Sequence, residues 1–299
     1  MDADLADVGV VVVAYRSADT IADCLRALPL ARLGDVVVVD NDSPDDSAAR
    51  AGAAGVRVVR QANLGFGAGC NRGERELASD VRLVLFLNPD AVLTEADLSR
   101  LVTHLRDDPR CAVVGPRVTS GGRPTWSAGH LATLATELRP LLPAPLSRLG
   151  PVRRLPPEHA VTGPVGYVEG ACFLVRRDVL AEVGRFDEDY FLYFEELDLS
   201  RRLAVAGWEV HLCAEAVVEH AMGASTAGTP FGASPHMVRS RLRYLHRWHG
   251  ARAARTYAVA ARLSWRLRQL RGRLPADERR ALVQAARDGV RHGSAPARR

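Results

Sequence analysis

The sequence contains no lysine: all 40 of its basic residues are arginine. That bias reflects coding preference as readily as function. It also lacks any apolar run of the roughly 20 residues needed to cross a bilayer as a helix. Its first residues, Met1-Asp2-Ala3-Asp4, are acidic, which excludes the basic start of a secretory leader and predicts a cytoplasmic chain. No C-x-x-C pair is present. The five cysteines, Cys24, Cys70, Cys111, Cys172 and Cys213, are scattered and odd in number, which argues against a disulfide framework or a cysteine metal cluster. There is no internal repeat and no low-complexity tract.

What remains is ordinary globular composition, 47% hydrophobic and 25% charged over 299 residues, enough for a sizeable core. The net charge of +5 is uneven. From Arg239 onward only Asp277, Glu278 and Asp288 oppose a succession of arginines. Such a tail suits a polyanionic partner: a lipid diphosphate, an anionic membrane surface or nucleic acid.

Apolar periodicity predicts strands over Val8–Ala14, Asp35–Val39, Val56–Val59, Val81–Leu87 and Cys111–Gly115. Helices are expected from Thr20 to Leu28, Gly67 to Leu77 and Thr94 to Leu105. Positions 115–163 read as an irregular connection with one short helix near Leu131–Leu138. Strand character resumes over Val165–Val175. Helices follow over Asp178–Val183 and Glu195–Ala206, then strands over Glu209–Ala214 and Ala216–His220. Met237–Val290 is helical and arginine-rich. Alternating strands and helices imply a mostly parallel, Rossmann-like sheet flanked by helices, with ligands beyond the carboxyl ends of its strands.

Several short motifs fall at those ends. Asp40, in Asp40-Asn41-Asp42-Ser43, could accept from the N3–H of uracil or thymine; a helix cap by Asp42 or Ser43 is the structural alternative. Asn63 to Asn71 is a glycine-rich turn into a helix, suited to phosphate, with a plain tight turn as its alternative. Asn88-Pro89-Asp90 projects rigidly from a strand end and offers one hard carboxylate for Mg²⁺ or Mn²⁺, although such a tripeptide is also a common turn. Glu195, Glu196 and Asp198 crowd a helix start beside aromatic residues, as a general base near neutrality requires. His220 is a late, isolated histidine of the kind more often found satisfied within a fold.

In this order the motifs resemble the inverting family 2 glycosyltransferases of GT-A fold, and most of all their bacterial rhamnosyltransferase-type branch. The resemblance spans about Val8 to Trp248. Val10 to Tyr15 is similar to the family's opening strand, and Asn63 to Asn71 to its N-x-G-F-G-x-G-x-N segment. Val168 to Arg177 resembles its acceptor-side strand, and His220, Gly223 and Ser225 match its late His-x-x-Gly-x-Ser. The resemblance implies a catalytic and nucleotide-binding domain over 1–236, with a nucleotide half to about 115 and an acceptor half over about 160–236. A basic helical extension, 237–299, follows.

The implied nucleotide site is Ala14, Tyr15, Arg16, Asp40, Asn63, Gly67, Asn71, Asn88 and Asp90. Asp90 and His220 would hold Mg²⁺ or Mn²⁺, and Glu196 matches the catalytic base, with Glu195 and Asp198 as competitors. Glu169, Gly170, Ala171, Glu195, Asp198, Arg201 and Trp208 would serve the acceptor or donor sugar. Asn88 and Glu196 stand where many relatives carry aspartate. The implied reaction moves a sugar from a dTDP- or UDP-sugar, dTDP-L-rhamnose first, to a glycan or polyprenyl-diphosphate-linked acceptor in cell-envelope synthesis. Nucleic acid is not an expected partner. A nucleotidyltransferase is the weaker enzyme reading, because Ala14-Tyr15-Arg16-Ser17 follows the first strand where a glycine-rich basic signature would stand. Leu263, Leu267, Leu270 and Leu274 recur at helical spacing near Trp265, which fits either a helix docked on the protein's own core or peripheral contact with an anionic membrane.

Overall fold

The computed structural model describes residues 3–143, 145–148, 150–221 and 234–292. The opening Met1-Asp2 and the Gly223 and Ser225 of the late histidine motif lie outside the described residues.

Six strands of the central sheet run one way. They are β1 (Val8–Ala14), β2 (Asp35–Asp40), β3 (Arg57–Arg60), β4 (Leu83–Leu87), β6 (Cys111–Ser120) and β12 (Glu209–His220); β5 (Ala91–Leu93) is a short edge strand. β11 (Cys172–Arg176) is antiparallel between β4 and β6, giving the order β3-β2-β1-β4-β11-β6-β12-β5. The remaining short strands are β7 (Arg123–Pro124), β8 (Ala128–Gly129), β9 (Gly163–Val165) and β10 (Tyr167–Val168).

β1 explains why both faces are covered. Its side chains alternate across the sheet. Val8, Val10 and Val12 enter one core with Ile21 and Leu25 of α1 (Ile21–Ala27), Ala51 of α2 (Ser47–Ala53) and Leu98 and Leu101 of α4 (Glu95–Asp107). Val11 and Val13 enter the other with Cys70 and Leu77 at α3 (Phe66–Glu76), Val179 of α6 (Arg177–Glu182) and Leu203 of α7 (Glu195–Val205). The result is a three-layer α/β fold, as the alternating pattern predicts. All five cysteines are buried and free.

Three expectations change. The segment 115–163 is more ordered than its composition suggests, carrying β7, β8 and α5 (Leu134–Leu138), which begins with a reciprocal cap between Thr133 and Thr136. The apolar run Val165–Val175 is three strands rather than one. β10 leaves the main sheet to pair with β8, and the Glu169 amide donates to the Ser127 carbonyl. The two expected closing strands are one, β12, with a register shift between Cys213 and Val217, where the Val217 amide is captured by Asp97 Oδ1 at 3.1 Å. The Asp97 side chain of α4 meets the strand at that irregularity, and no local pattern announces it.

The basic C-terminal region forms α8 (Pro235–Leu270), broken at Gly250 (φ 84°, ψ 167°), and α9 (Ala276–His292). Val238, Leu242, Tyr257, Trp265, Leu282 and Ala286 build a core between them. Met237 and Tyr244 pack instead with Tyr190, Phe194 and Leu197 beside α7.

Candidate active site

Register places the candidate residues along one edge. Ala14 ends β1 opposite Asp40, and Leu87 of β4 pairs with Val12 of β1 and Cys172 of β11. The exits of β1, β2 and β4 therefore adjoin the entrance of β11. His220 ends β12 opposite Ala91.

Asp90 and His220, separated by 130 positions, meet at 3.1 Å between Oδ1 and Nε2. The Asn88 amide group approaches the same nitrogen at 3.3 Å. Backbone bonds hold the arrangement: the Asn88 amide donates to the Ala171 carbonyl and the Ala221 amide to the Asp90 carbonyl. One carboxylate, one imidazole and a neutral amide suit a divalent ion that takes its remaining ligands from diphosphate oxygens and water. Groups of three convergent ligand types among the described residues lie elsewhere, as His104, Cys111 and His211, or Asp108, Glu209 and His211. There His211 is already satisfied, bonded to His104 at 2.9 Å and to Glu209 at 2.9 Å.

Asp40 is buried, with Oδ1 lacking any partner, while Oδ2 accepts from the Ser43 amide at 3.4 Å. An unsatisfied buried carboxylate oxygen is costly unless a ligand supplies the donor. The expected alternative, a helix cap, is not realised by Asp42 or Ser43, because α2 begins at Ser47; the Ser43 hydroxyl accepts from the Arg16 amide instead. Arg16 and Asp42 both adopt positive φ, 53° and 58°, in the two turns flanking this carboxylate. Tyr15 is half-buried and Arg16 exposed over its ring.

The three acids of α7 separate clearly. Asp198 is fully buried and saturated: Trp248 Nε1 donates at 2.9 Å, Arg202 Nε at 2.9 Å and Arg247 at 3.3 Å. It ties α7 to α8 and has no capacity left for an acceptor hydroxyl, which corrects its expected place at the sugar. Glu195 is buried facing Cys70, and burial followed by the Glu196 charge pushes its carboxyl well up. Glu196 is half-buried beside Gly170; burial, then the charge of Glu169, pushes it up to about 7. Glu169 in turn faces Arg154 at 3.3 Å.

The glycine-rich turn answers to packing. Gly65 (φ 101°) lies against the Phe191 backbone, whose carbonyl accepts from the Phe66 amide, and a Cβ there would collide with that oxygen. At Gly67 a Cβ would press on Phe186, 3.1 Å away, and at Gly69 on Val13, 2.6 Å away. Asn63 closes the turn by accepting from the Gly65 amide at 3.2 Å. Asn71 corrects another expectation. Its amide donates to the Phe186 carbonyl and to Glu188, each at 2.9 Å, and its oxygen accepts from the Phe186 amide at 3.0 Å. It clamps the segment leading to α7 and is spent as a phosphate contact.

Trp208 also lies apart. It lines a cavity of about 260 Å³ with Leu131, Pro164, Val165 and Ser200, and neither Glu196 nor Asp90 borders that cavity. Arg201 stacks over Trp248, 5.7 Å from the ring centroid. Conversely, Arg153 and Arg154 reach the Glu169–Glu196 pair from the connection expected to be irregular. Arg154 lies 4.9 Å over the ring of Trp126, a half-exposed aromatic. The adjacent arginines were visible in the sequence, but nothing in their spacing said where the connection folds back.

Residues 9–184 match the model of the glycosyl transferase family 2. Over 242 residues, 74% of this chain and 78% of the relative, the sequence is 32% identical to the N-acetylglucosaminyl-diphospho-decaprenol L-rhamnosyltransferase of Mycobacterium tuberculosis. It is 25% identical over 203 residues to the low-salt glycan biosynthesis hexosyltransferase Agl10 of Haloferax volcanii, covering 66% of this chain and 62% of that one. Among solved structures, GalNAc-T7 with UDP, GalNAc and Mn²⁺ superposes with a TM-score of 0.58 at 16% identity, covering 83% and 49% of the two chains. Glucosyl-3-phosphoglycerate synthase from Mycobacterium tuberculosis with Mg²⁺ and UDP gives 0.51 at 20%, covering 80% and 78%. These structures share the fold. The extent of the family match and the identity to the mycobacterial enzyme establish that the chain belongs to glycosyl transferase family 2 and is a glycosyltransferase.

Proposed function

We propose that this enzyme transfers L-rhamnose from dTDP-L-rhamnose, with inversion, to a hydroxyl of a polyprenyl-diphosphate-linked sugar. The mycobacterial relative supports both the sugar and the lipid-linked acceptor. The observation that carries the reading is the contact of Asp90 with His220, 3.1 Å apart on the edge where β4 and β12 end.

Asp40 accepts from the N3–H of the donor's thymine, the donor its Oδ1 lacks, and Tyr15 flanks the base. Asp90 and His220 would hold Mg²⁺ or Mn²⁺, assisted by Asn88. When bound, such an ion neutralises charge developing on the diphosphate. Glu196 takes the proton of the acceptor hydroxyl. The oxygen forms a bond to the anomeric carbon from the face opposite the diphosphate, and the bond to the departing phosphate oxygen breaks. The products are the glycoside, the nucleoside diphosphate and the proton held by Glu196. A carboxyl raised to about 7 is basic enough for this role while remaining largely ionised above neutrality.

Glu196→Gln tests the assignment. Turnover of dTDP-rhamnose with a lipid-linked acceptor should fall by about 10²–10⁴-fold, the usual contribution of a general base. Donor affinity, measured by calorimetry, should be unchanged. Near wild-type turnover would refute the base. A donor panel followed by nucleoside diphosphate release tests the sugar, and preference for a UDP-sugar would replace dTDP-rhamnose.

A further inference from the structure

The outer face of α8 beyond its kink is apolar and uncovered. Val259, Leu263, Leu267 and Leu270 follow one another at spacings of four, four and three, which aligns them along one side of the helix. Their exposures are 66%, 60%, 43% and 75%, far above what a docked helix shows. The opposite side is closed: Ala254, Tyr257, Ala258, Ala261 and Trp265 pack in the core shared with α9. Trp265 and Leu274 therefore belong to the inner face, and the outer stripe gains Val259, which leucine spacing alone did not include.

Charge identifies the occupant. Arg252, Arg255, Arg262, Arg266, Arg268, Arg271 and Arg273 accompany this stripe, and no acidic residue occurs from Gly250 to Leu274. All but Arg262 are exposed. A second copy of the helix would set arginine against arginine. Anionic lipid headgroups would instead neutralise the arginines while the acyl boundary takes the leucines. No described helix is long and apolar enough to cross a membrane, so the contact is with the surface.

We infer that Val259, Leu263, Leu267 and Leu270, with their flanking arginines, form a docking face for an anionic phospholipid bilayer. The face is coupled to the catalytic helix. Arg241 NH1 donates to Tyr257 Oη across the kink at 2.7 Å, and Arg247 and Trp248 grip Asp198 of α7. Docking would thus fix the orientation of Glu196 relative to the membrane. The inference does not depend on which sugar is transferred.

The test is sedimentation of the full chain with vesicles of phosphatidylglycerol and phosphatidylcholine, against phosphatidylcholine alone. The wild type should pellet with the anionic vesicles only, and high salt should release it. Leu263→Ser/Leu267→Ser/Leu270→Ser, at exposed positions that leave the fold intact by circular dichroism, should lower the partition coefficient at least tenfold. Donor hydrolysis without vesicles should be the same in both proteins, which separates this test from that of the catalytic reading. Protein that stays in the supernatant, or a variant that binds as well as the wild type, would overturn the inference. So would light scattering that shows a dimer abolished by the same substitutions without vesicle binding.

Discussion

If Glu196 is the base proposed above, its carboxyl serves catalysis at the expense of stability. Its value rises from 4.5 to about 7 in the folded chain, through burial and then Glu169. The native state therefore holds its proton more tightly than the unfolded state does. The stability it provides is complete below about 4.5 and is lost as pH rises through about 7. Removing the charge should relieve this cost. Glu196→Gln is expected to be more stable than wild type at pH 8 by about 1–3 kcal/mol, after allowing for partial solvent access. The advantage should vanish near pH 4, as denaturant titration at the two pH values would reveal. Equal stability at both would mean the carboxyl is not held up. Asp198 poses the opposite case. Asp198→Asn would leave Arg202 and Arg247 short of their buried counter-charge and should cost about 3 kcal/mol. If instead Asp198→Asn kept full stability in urea but lost turnover, Asp198 and not Glu196 would be the base.

At the scale of elements, the glycine-rich entry to α3 is a motif whose local reading and tertiary role differ. Read along the chain, its glycines suit close approach to a phosphate. In the fold, Gly65 admits the Phe191 backbone and Gly67 the Phe186 side chain of the segment that leads to α7 and Glu196, while Gly69 makes room for Val13 of β1. Gly65→Ala puts a methyl group into the Phe191 carbonyl oxygen at a φ of 101° and should lower stability by about 2–4 kcal/mol. Thermal unfolding measures this, and a loss below about 0.5 kcal/mol would show that the contact yields easily. The same scale explains the split of Val165–Val175. Apolar patterning marks a segment as buried, but only pairing with β8 decides which sheet receives Tyr167 and Val168.

At the scale of the whole molecule, the proposed site draws distant segments to one sheet edge. Asp40, Asn88-Pro89-Asp90, Glu169 to Ala171, Glu196 and His220 are carried there by β2, β4, β11, α7 and β12. The proposed metal ligands, Asp90 and His220, offer a direct check. His220→Ala and Asp90→Asn should each weaken Mn²⁺ binding in the presence of nucleoside diphosphate by about 10–100-fold, with little change in thermal stability. Paramagnetic relaxation of water measures it. Unaltered Mn²⁺ affinity in both variants would remove the pair from the ion.

The main parallel strands, the alternation that made a layered α/β fold, and the motif order were contained in the sequence, because they arise from local periodicity and turn chemistry. Val8–Ala14 could scarcely be anything but a doubly covered strand. Asp40 and Asp90 stood out as candidates because strand exits are where a parallel sheet leaves room for ligands. Discrimination among Glu195, Glu196 and Asp198 was beyond any local signal. It rests on Cys70, Glu169, Arg202, Arg247 and Trp248, side chains brought from other elements whose burial and charge set what each carboxylate can do. The outward stripe on α8 was decided the same way: leucine spacing defines a helical face, and only the packing of α9 determines which face is left to solvent.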